Sequence, residues 1–151
     1  MADSSLAITL EISAPIETVW AAIADWESQG KWMLQTKVWV TSAQREGVGT
    51  SISAFTGPLH RFHPRFKSLG LLDLMHVTTW EPPYRCDVEH VGKLLKGSGS
   101  FLLTPISDDR TRFDWSEIVV APRFLFLLFA PFLYIGVRVS LARFAHSLSV
   151  R

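Results

Sequence analysis

The sequence has one cysteine, almost no net charge and no obvious targeting segment. Cys86 has no second cysteine to pair with, which excludes the disulfide framework that holds small secreted domains together. The formal net charge of +1 is far from the basic balance with which proteins bind nucleic-acid phosphates. The opening MADSSLAITL has neither the basic start nor the long apolar stretch of a secretory signal. These features predict a cytoplasmic protein that does not bind nucleic acid.

A long uninterrupted apolar span is also lacking. The longest apolar run, residues 124–137, is bounded by Arg123 and Arg138 and contains Pro131. It is shorter than the roughly 20 residues that cross a bilayer. The run therefore favours buried core or a cavity lining. A segment that dips into a membrane surface stays open as an alternative, which would make the protein membrane-associated.

What is present is enough apolar material for one folded unit. The chain has 151 residues, of which 48% are hydrophobic and 19% are charged. Domains of about 100–150 residues are the commonest, and this composition has ample apolar surface to bury. We expect a single domain over residues 1–151, since no repeat, low-complexity tract or linker divides the sequence.

The N-terminal part predicts one strand and two short helices. Apolar and polar residues alternate over residues 6–12, which is the pattern of a strand with one buried face. Ser13 and Pro15 then suit a helix start, and Ile16, Val19, Trp20 and Ile23 fall on one helical stripe. Residues 25–32 contain a glycine and indicate a second short helix or turn.

Six further strands and a long helix are predicted after residue 36. The strand-like runs are KVWVTS, TSISAFT, LLDLMHVTTW, YRCDVEHV, GSGSFLLTP and TRFDWSEIVV, and short turn-rich connections join most of them. A helix begins near Pro131, with apolar residues at four-and-three spacing: Leu133, Val137, Leu141, Phe144 and Leu148. This order predicts an α+β fold in which a curved antiparallel sheet of six to seven strands wraps around the terminal helix. Where the bent sheet and the helix diverge, we expect an apolar cavity.

The same order and several local motifs resemble a known group of proteins. Residues 73–117 and 137–145 resemble the polyketide cyclase/dehydrase and lipid-transport proteins of the START-like, helix-grip superfamily, also called SRPBCC. The most characteristic stretches are WEPP, GSGSF, WSE and SLARF, at residues 80–83, 97–101, 115–117 and 140–144. The resemblance covers nearly the whole chain. It implies a helix-grip fold with a pocket for a small hydrophobic molecule such as a lipid or polyketide, and it specifies no reaction.

Alternation along the strands and the helix spacing predict which side chains line that pocket. The inward set is Met75, Val77, Thr79, Tyr84, Cys86, Val88, His90, Phe101, Leu103, Phe113, Trp115 and Glu117, with Leu133, Val137, Leu141 and Phe144 from the helix. The intervening residues Arg85, Asp87, Glu89, Arg112, Asp114 and Ser116 then face water.

His90 and Glu117 are the two ionisable side chains in this otherwise apolar set. Buried charge normally needs a partner or a task. One interpretation is that the two residues pair with each other or lie at strand ends in water. The other is that Glu117 accepts a proton or hydrogen bond from a ligand while His90 serves as an acid or base. The first hypothesis for the function is binding or transport of a small hydrophobic molecule. The alternative is an enzyme of the cyclase/dehydratase type that uses the same pocket, with Glu117 and His90 handling protons.

The remaining reactive residues predict little chemistry. Cys86 has no nucleophile motif around it and is expected in the core. His60, His63, His76 and His90 lack the spacing of a metal site, so we expect neither a metal nor a cofactor. Residues 57–70 mix basic and aromatic residues, and with residues 124–132 they could form a gate to the pocket, a peripheral membrane contact or a dimer contact. The sequence leaves open a monomer or a homodimer.

Overall fold

The computed structural model describes residues 2–58, 69–93 and 95–149. These residues form a seven-stranded sheet, two α-helices and one 3-10 helix. In chain order the elements are β1 Ala2–Ile12, α1 Ile16–Ala24, the 3-10 helix Trp26–Lys31, β2 Thr36–Val40, β3 Ser51–Thr56, β4 Leu71–Glu81, β5 Arg85–Val91, β6 Lys96–Ser107, β7 Arg110–Ala121 and α2 Arg123–Ser149. The predicted α+β class, the strand count and the order of elements are confirmed.

Strands β2 to β7 form an antiparallel meander, and β1 pairs with β7 at one edge of the sheet. The strand order is β1-β7-β6-β5-β4-β3-β2. Strand β1 pairs with β7 over its full length, from Ala2 opposite Ala121 to Ile12 opposite Thr111. The two strands nearest the chain ends are thereby joined, and α2 leaves the sheet directly after β7.

The core consists of two apolar clusters on the inner face. One joins α1, β1, β7 and the C-terminal half of α2, with Phe113 and Phe144 almost fully buried. The other lies between the 3-10 helix and strands β2 to β5, around Val77 and Cys86. Phe101 packs against both clusters. Alternate strand residues supply these side chains, because neighbouring residues of a strand point to opposite faces.

Helix α2 begins earlier than the sequence predicts. It starts at Arg123, and the amide of Phe126 donates to the carbonyl oxygen of Pro122 at 3.1 Å. Pro131 therefore lies inside the helix and not at its start. A proline removes one backbone donor and disturbs one preceding turn, and the Leu- and Phe-rich residues on either side favour continued helix. The expectation that the helix begins near Pro131 is wrong by eight residues.

A β-bulge places Thr79 on the outer face of the sheet, so the prediction that Thr79 faces inward is wrong. The β4–β5 ladder pairs Val77 with Val88 and then shifts, so that Thr79 lies opposite Asp87 and Trp80 opposite Cys86. Thr79 shares the outer face with Asp87, to which its hydroxyl is hydrogen-bonded. Trp80 occupies the inner position. Simple alternation fails here because a bulge inserts one extra residue into one strand.

Two more residues of the predicted inward set are exposed. Tyr84 is 53% exposed and lies in the turn before β5, where strand alternation does not apply. Leu133 is 40% exposed and lies in the N-terminal half of α2, which the sheet covers only partly. The predictions that Tyr84 and Leu133 face inward are therefore wrong.

Candidate ligand site on the inner face of the sheet

Three ionisable side chains meet on the inner face, one from each of three strands. His90 on β5 lies between Asp73 on β4 and Glu117 on β7. The Nδ1 atom of His90 is 2.8 Å from Oδ1 of Asp73, and Nε2 makes a short hydrogen bond with Oε1 of Glu117. The three side chains are 5%, 15% and 13% exposed for His90, Asp73 and Glu117 respectively. We call them the carboxylate–histidine cluster.

Two glycines on β6 make the contact between β5 and β7 possible. Gly97 lies opposite His90 and Gly99 lies opposite Glu117, so β6 separates the two side chains. A Cβ atom added to Gly99 would be 2.8 Å from Oε2 of Glu117. Because β6 carries no side chain at these positions, the carboxylate can lie across the strand and reach the imidazole.

The two carboxylates hold the imidazole in its protonated form. Burial by itself would lower the pKa of His90, but the hydrogen bonds to Asp73 and Glu117 outweigh it and raise the pKa to about 10. Both ring nitrogens therefore donate at neutral pH. Burial raises the pKa of Glu117, and the neighbouring imidazolium opposes part of that effect. With both carboxylates ionised the cluster carries a net charge of −1.

Among the described residues, one oxygen of each carboxylate is left for another donor. Within residues 2–58, 69–93 and 95–149, no hydrogen bond reaches Oε2 of Glu117 or Oδ2 of Asp73. Both ring nitrogens of His90 are already engaged. The cluster can therefore accept hydrogen bonds from a molecule placed over it through Glu117 and Asp73, whereas His90 serves to hold their other oxygens in place.

Apolar residues surround the cluster. Met75 follows Asp73 on β4, Val88 precedes His90 on β5, and Val119 follows Glu117 on β7. Val88 and Val119 are buried and Met75 is half-buried. Helix α2 starts two residues after β7 ends and packs on β1 and β7, so its first turns lie at the same end of the sheet as the cluster.

The rest of the predicted inward set divides into two groups. Val77 and Cys86 belong to the apolar cluster between the 3-10 helix and strands β2 to β5, and Phe101 packs against both apolar clusters. The others belong to the apolar cluster that α1, β1, β7 and α2 share, in which Val137 is half-buried and the rest are buried: Leu103, Phe113, Trp115, Leu141 and Phe144.

Cys86 is a core residue, as predicted. It is 1% exposed, and burial together with the charge of Asp87 raises the pKa of its thiol to about 12. A thiol in this state is neither charged nor accessible, so it has no nucleophilic role.

Asp73 is the site residue that sequence reasoning missed. It lies two residues before Met75 on the same strand, and therefore on the inner face by the alternation that predicts Met75 and Val77. Extending the same period by one step would have placed it beside His90. Of the two interpretations of His90 and Glu117, the structure confirms that they pair with each other, with Asp73 as a third member.

Two surface grooves lie away from the cluster. One, of about 800 Å³, runs between α1, the 3-10 helix and the C-terminal half of α2, and includes Trp32 and Arg143. The other, of about 430 Å³, lies against α1 and includes Trp20 and Arg45. Neither is lined by Asp73, His90 or Glu117.

The structure describes one of the two predicted gate segments in full and the other only in part. Residues 124–132 are the first turns of α2 and not a loop. Of residues 57–70, residues 59–68 lie outside the described part of the chain. A joint gate formed by the two segments stays a prediction.

The helix-grip fold that the sequence resemblance implies is confirmed: a seven-stranded antiparallel sheet and a long C-terminal helix. Among similar solved structures is the ZhuI aromatase/cyclase from Streptomyces sp. R1128, with a TM-score of 0.78, 13% identity and coverage of 99% of this chain and 97% of that one. Protein Ms6760 from Mycobacterium smegmatis has a TM-score of 0.71 and 16% identity, over 97% and 91% of the two chains. A protein from Arthrobacter aurescens has a TM-score of 0.73 and 17% identity, over 97% and 87%. No family model matches the chain, and no curated protein matches its sequence.

Proposed function

We propose that the protein binds a small, mainly apolar molecule that carries a hydroxyl or enol group. The molecule lies on the inner face of the sheet, between β4–β7 and the first turns of α2. The carboxylate–histidine cluster accepts its polar hydrogen. The single observation that supports this proposal is the cluster itself: three ionisable groups concentrated on a face whose other side chains are mainly apolar.

The energetics of burial favour a functional role for the cluster. Removing charged groups from water costs several kcal/mol per ion, and a buried ion pair often stabilises a protein no more than apolar residues of similar volume would. Apolar side chains at Asp73, His90 and Glu117 would extend the core without this cost. A requirement for polar recognition accounts for the presence of these residues on the inner face.

The charge of the cluster selects the ligand chemistry. Glu117 and Asp73 each offer an acceptor oxygen, and the net charge is −1 when both are ionised. A ligand carboxylate placed here would be repelled, whereas a neutral hydroxyl or enol would donate to Oε2 of Glu117. The apolar neighbours Met75, Val88 and Val119 suit a hydrocarbon or aromatic body.

Native mass spectrometry of the chain purified from its own host tests the proposal, followed by organic extraction of any bound molecule. We expect a neutral, mainly apolar compound with at least one hydroxyl or enol group, bound in a one-to-one ratio. The Glu117→Gln variant, prepared in the same way, should retain less of it, and Glu89→Gln, which changes an exposed carboxylate of β5, should retain as much as the wild type. An anionic compound, or equal retention by Glu117→Gln, would contradict the proposal.

A second candidate function is catalysis of the cyclase/dehydratase type. Two observations favour it: the similarity to the aromatase/cyclase structure, and a buried carboxylate with a raised pKa beside an imidazolium. In this scheme Oε2 of Glu117 takes a proton from the carbon between two carbonyl groups. The C–H electrons move into the enolate, and the proton later returns to the substrate. His90 stays protonated and holds the carboxylate in position.

Hydrogen–deuterium exchange separates the two candidates without a known substrate. The probe is 1-phenylbutane-1,3-dione in D₂O. NMR measures the rate at which the signal of its C2 protons disappears. An enzyme should accelerate this exchange in the wild type, and Glu117→Gln should abolish the acceleration while still binding the probe. A wild type that binds the probe but gives no acceleration over buffer would contradict the enzyme candidate and favour the carrier.

A further inference from the structure

The N-terminal half of α2 exposes an apolar surface that the rest of the protein does not cover. An 18-residue window of this helix has a mean hydropathy of 2.0, yet only 11% of it is buried. A core helix of similar composition would be mostly buried. The exposed side chains recur at four-and-three spacing, and we call them the outer stripe: Phe124, Leu128, Phe132, Ile135 and Val139.

The outer stripe lies opposite the half of the helix that faces the protein. Phe126, Ala130, Tyr134 and Val137 are half-buried and continue into the buried residues Leu141 and Phe144. By contrast, Phe124 is 71% and Phe132 is 74% exposed. The helix thus has one side for its own fold and a second apolar side without a partner among the described residues.

The charged residues of α2 itself are all basic. From Pro122 to the last residue the sequence contains no aspartate or glutamate, but it contains Arg123, Arg138, Arg143 and Arg151. Arg123 and Arg138 flank the stripe and are exposed. An apolar stripe with arginines at its ends is complementary to a layer of acyl chains under anionic headgroups.

A second copy of this chain suits the stripe less well. In a symmetric dimer built on α2, the arginines of one helix would meet a partner helix that has no acidic residue. Anionic lipid supplies the counter-charge that the helix lacks.

The packing of α2 decides how the helix would meet the bilayer. Leu141, Phe144 and Leu148 are anchored in the core, which leaves residues 123–139 available. At about 1.5 Å per residue this length is about 25 Å, short of the roughly 30 Å of a hydrocarbon core. The helix must therefore lie along the surface.

We propose that the outer stripe of α2 inserts into the interfacial layer of an anionic lipid bilayer, with Arg123 and Arg138 at the headgroups. This proposal does not depend on the ligand site, since it concerns the opposite side of the helix.

Vesicle flotation of the purified full chain tests the proposal. The wild type should float with vesicles of phosphatidylcholine and phosphatidylglycerol, and more weakly with phosphatidylcholine alone. The double variant Leu128→Gln/Phe132→Gln should lower the partition coefficient at least roughly tenfold, because two apolar side chains no longer enter the acyl layer. Arg123→Gln/Arg138→Gln should remove most of the preference for phosphatidylglycerol. The matched control Val48→Gln/Ile106→Gln changes exposed apolar residues elsewhere and should float like the wild type.

A labelling experiment keeps the test decisive if a double variant folds poorly. Phe132→Cys and Val48→Cys are each labelled with an environment-sensitive fluorophore, and each should carry the label at the new cysteine only, because Cys86 is buried. A blue shift on anionic vesicles for Phe132→Cys alone supports the proposal. Three results would overturn the proposal. The first is a wild type that floats with no lipid, and the second is a dimer that Leu128→Gln/Phe132→Gln dissociates. The third is protease protection showing that α2 crosses the bilayer.

Discussion

Replacing Glu117 with Gln should lower the pKa of His90 by a measurable and bounded amount. The imidazole is held by two carboxylates, Asp73 and Glu117, and its pKa is raised to about 10. An opposite charge at hydrogen-bond distance shifts a pKa by roughly 1–3 units. In Glu117→Gln one of the two charges is gone, so the pKa of His90 should fall to roughly 7–9. At about 1.4 kcal/mol per unit, the lost coupling is roughly 1–4 kcal/mol.

NMR titration of the histidine ring signals measures this shift. The chain has five histidines. The ring signal of His90 is assigned as the one that is missing from the spectrum of the His90→Gln variant. Glu89→Gln is the control, because Glu89 is exposed on β5 next to His90 and its charge is screened by water. It should leave the titration of His90 almost unchanged. A wild-type His90 that titrates near its ordinary value, or a titration that Glu117→Gln does not move, would refute the reasoning.

Three further predictions follow from the same contacts. First, stability should fall as pH rises: a histidine with a folded pKa of about 10 stabilises the fold fully below its unfolded pKa of about 6.5, and this contribution, up to roughly 5 kcal/mol, is lost as pH passes 10. Urea unfolding at several pH values measures it, and a flat profile from 6.5 to 10 would contradict it. Second, Gly97→Ala should destabilise far more than Gly99→Ala, since its Cβ would overlap the backbone oxygen of Ile118, whereas the Cβ at residue 99 meets the side-chain end of Glu117. The urea concentrations at the unfolding midpoints of the two variants measure this difference, and equal midpoints would contradict the prediction. Third, Cys86 should react with a thiol reagent only after denaturation, and rapid reaction of the native chain would disprove its burial.

Most of the fold could be predicted from sequence because its signals are local. The alternation along β5 and β7 gives the correct face for Val88, Trp115 and Glu117, since strand geometry fixes side-chain direction. Short turns between strands favour antiparallel neighbours, which gives the meander.

The errors arose where local patterns were overridden. Thr79 follows a bulge that moves it to the outer face, and no residue type marks that extra residue. Pro131 indicated a helix start, although neighbouring Leu and Phe residues carry the helix through it. Tyr84 occupies a turn, where the two-residue period has no meaning.

The candidate site was only partly predictable. The pairing of His90 with Glu117 follows from their shared face, but the partnership depends on Gly97 and Gly99, which keep the intervening strand clear. That role becomes visible only when the register is known. The same alternation, extended by one step before Met75, includes Asp73, whereas the predicted lining begins at Met75.

Amide chemical-shift mapping with 2-naphthol, a neutral apolar molecule with one hydroxyl, tests most directly whether the inner face holds the ligand. The largest changes should fall on His90, Gly97 and Gly99, and they should shrink in Glu117→Gln. Changes confined to the groove around Lys31 and Arg143, or none at high probe concentration, would contradict a ligand site at the carboxylate–histidine cluster.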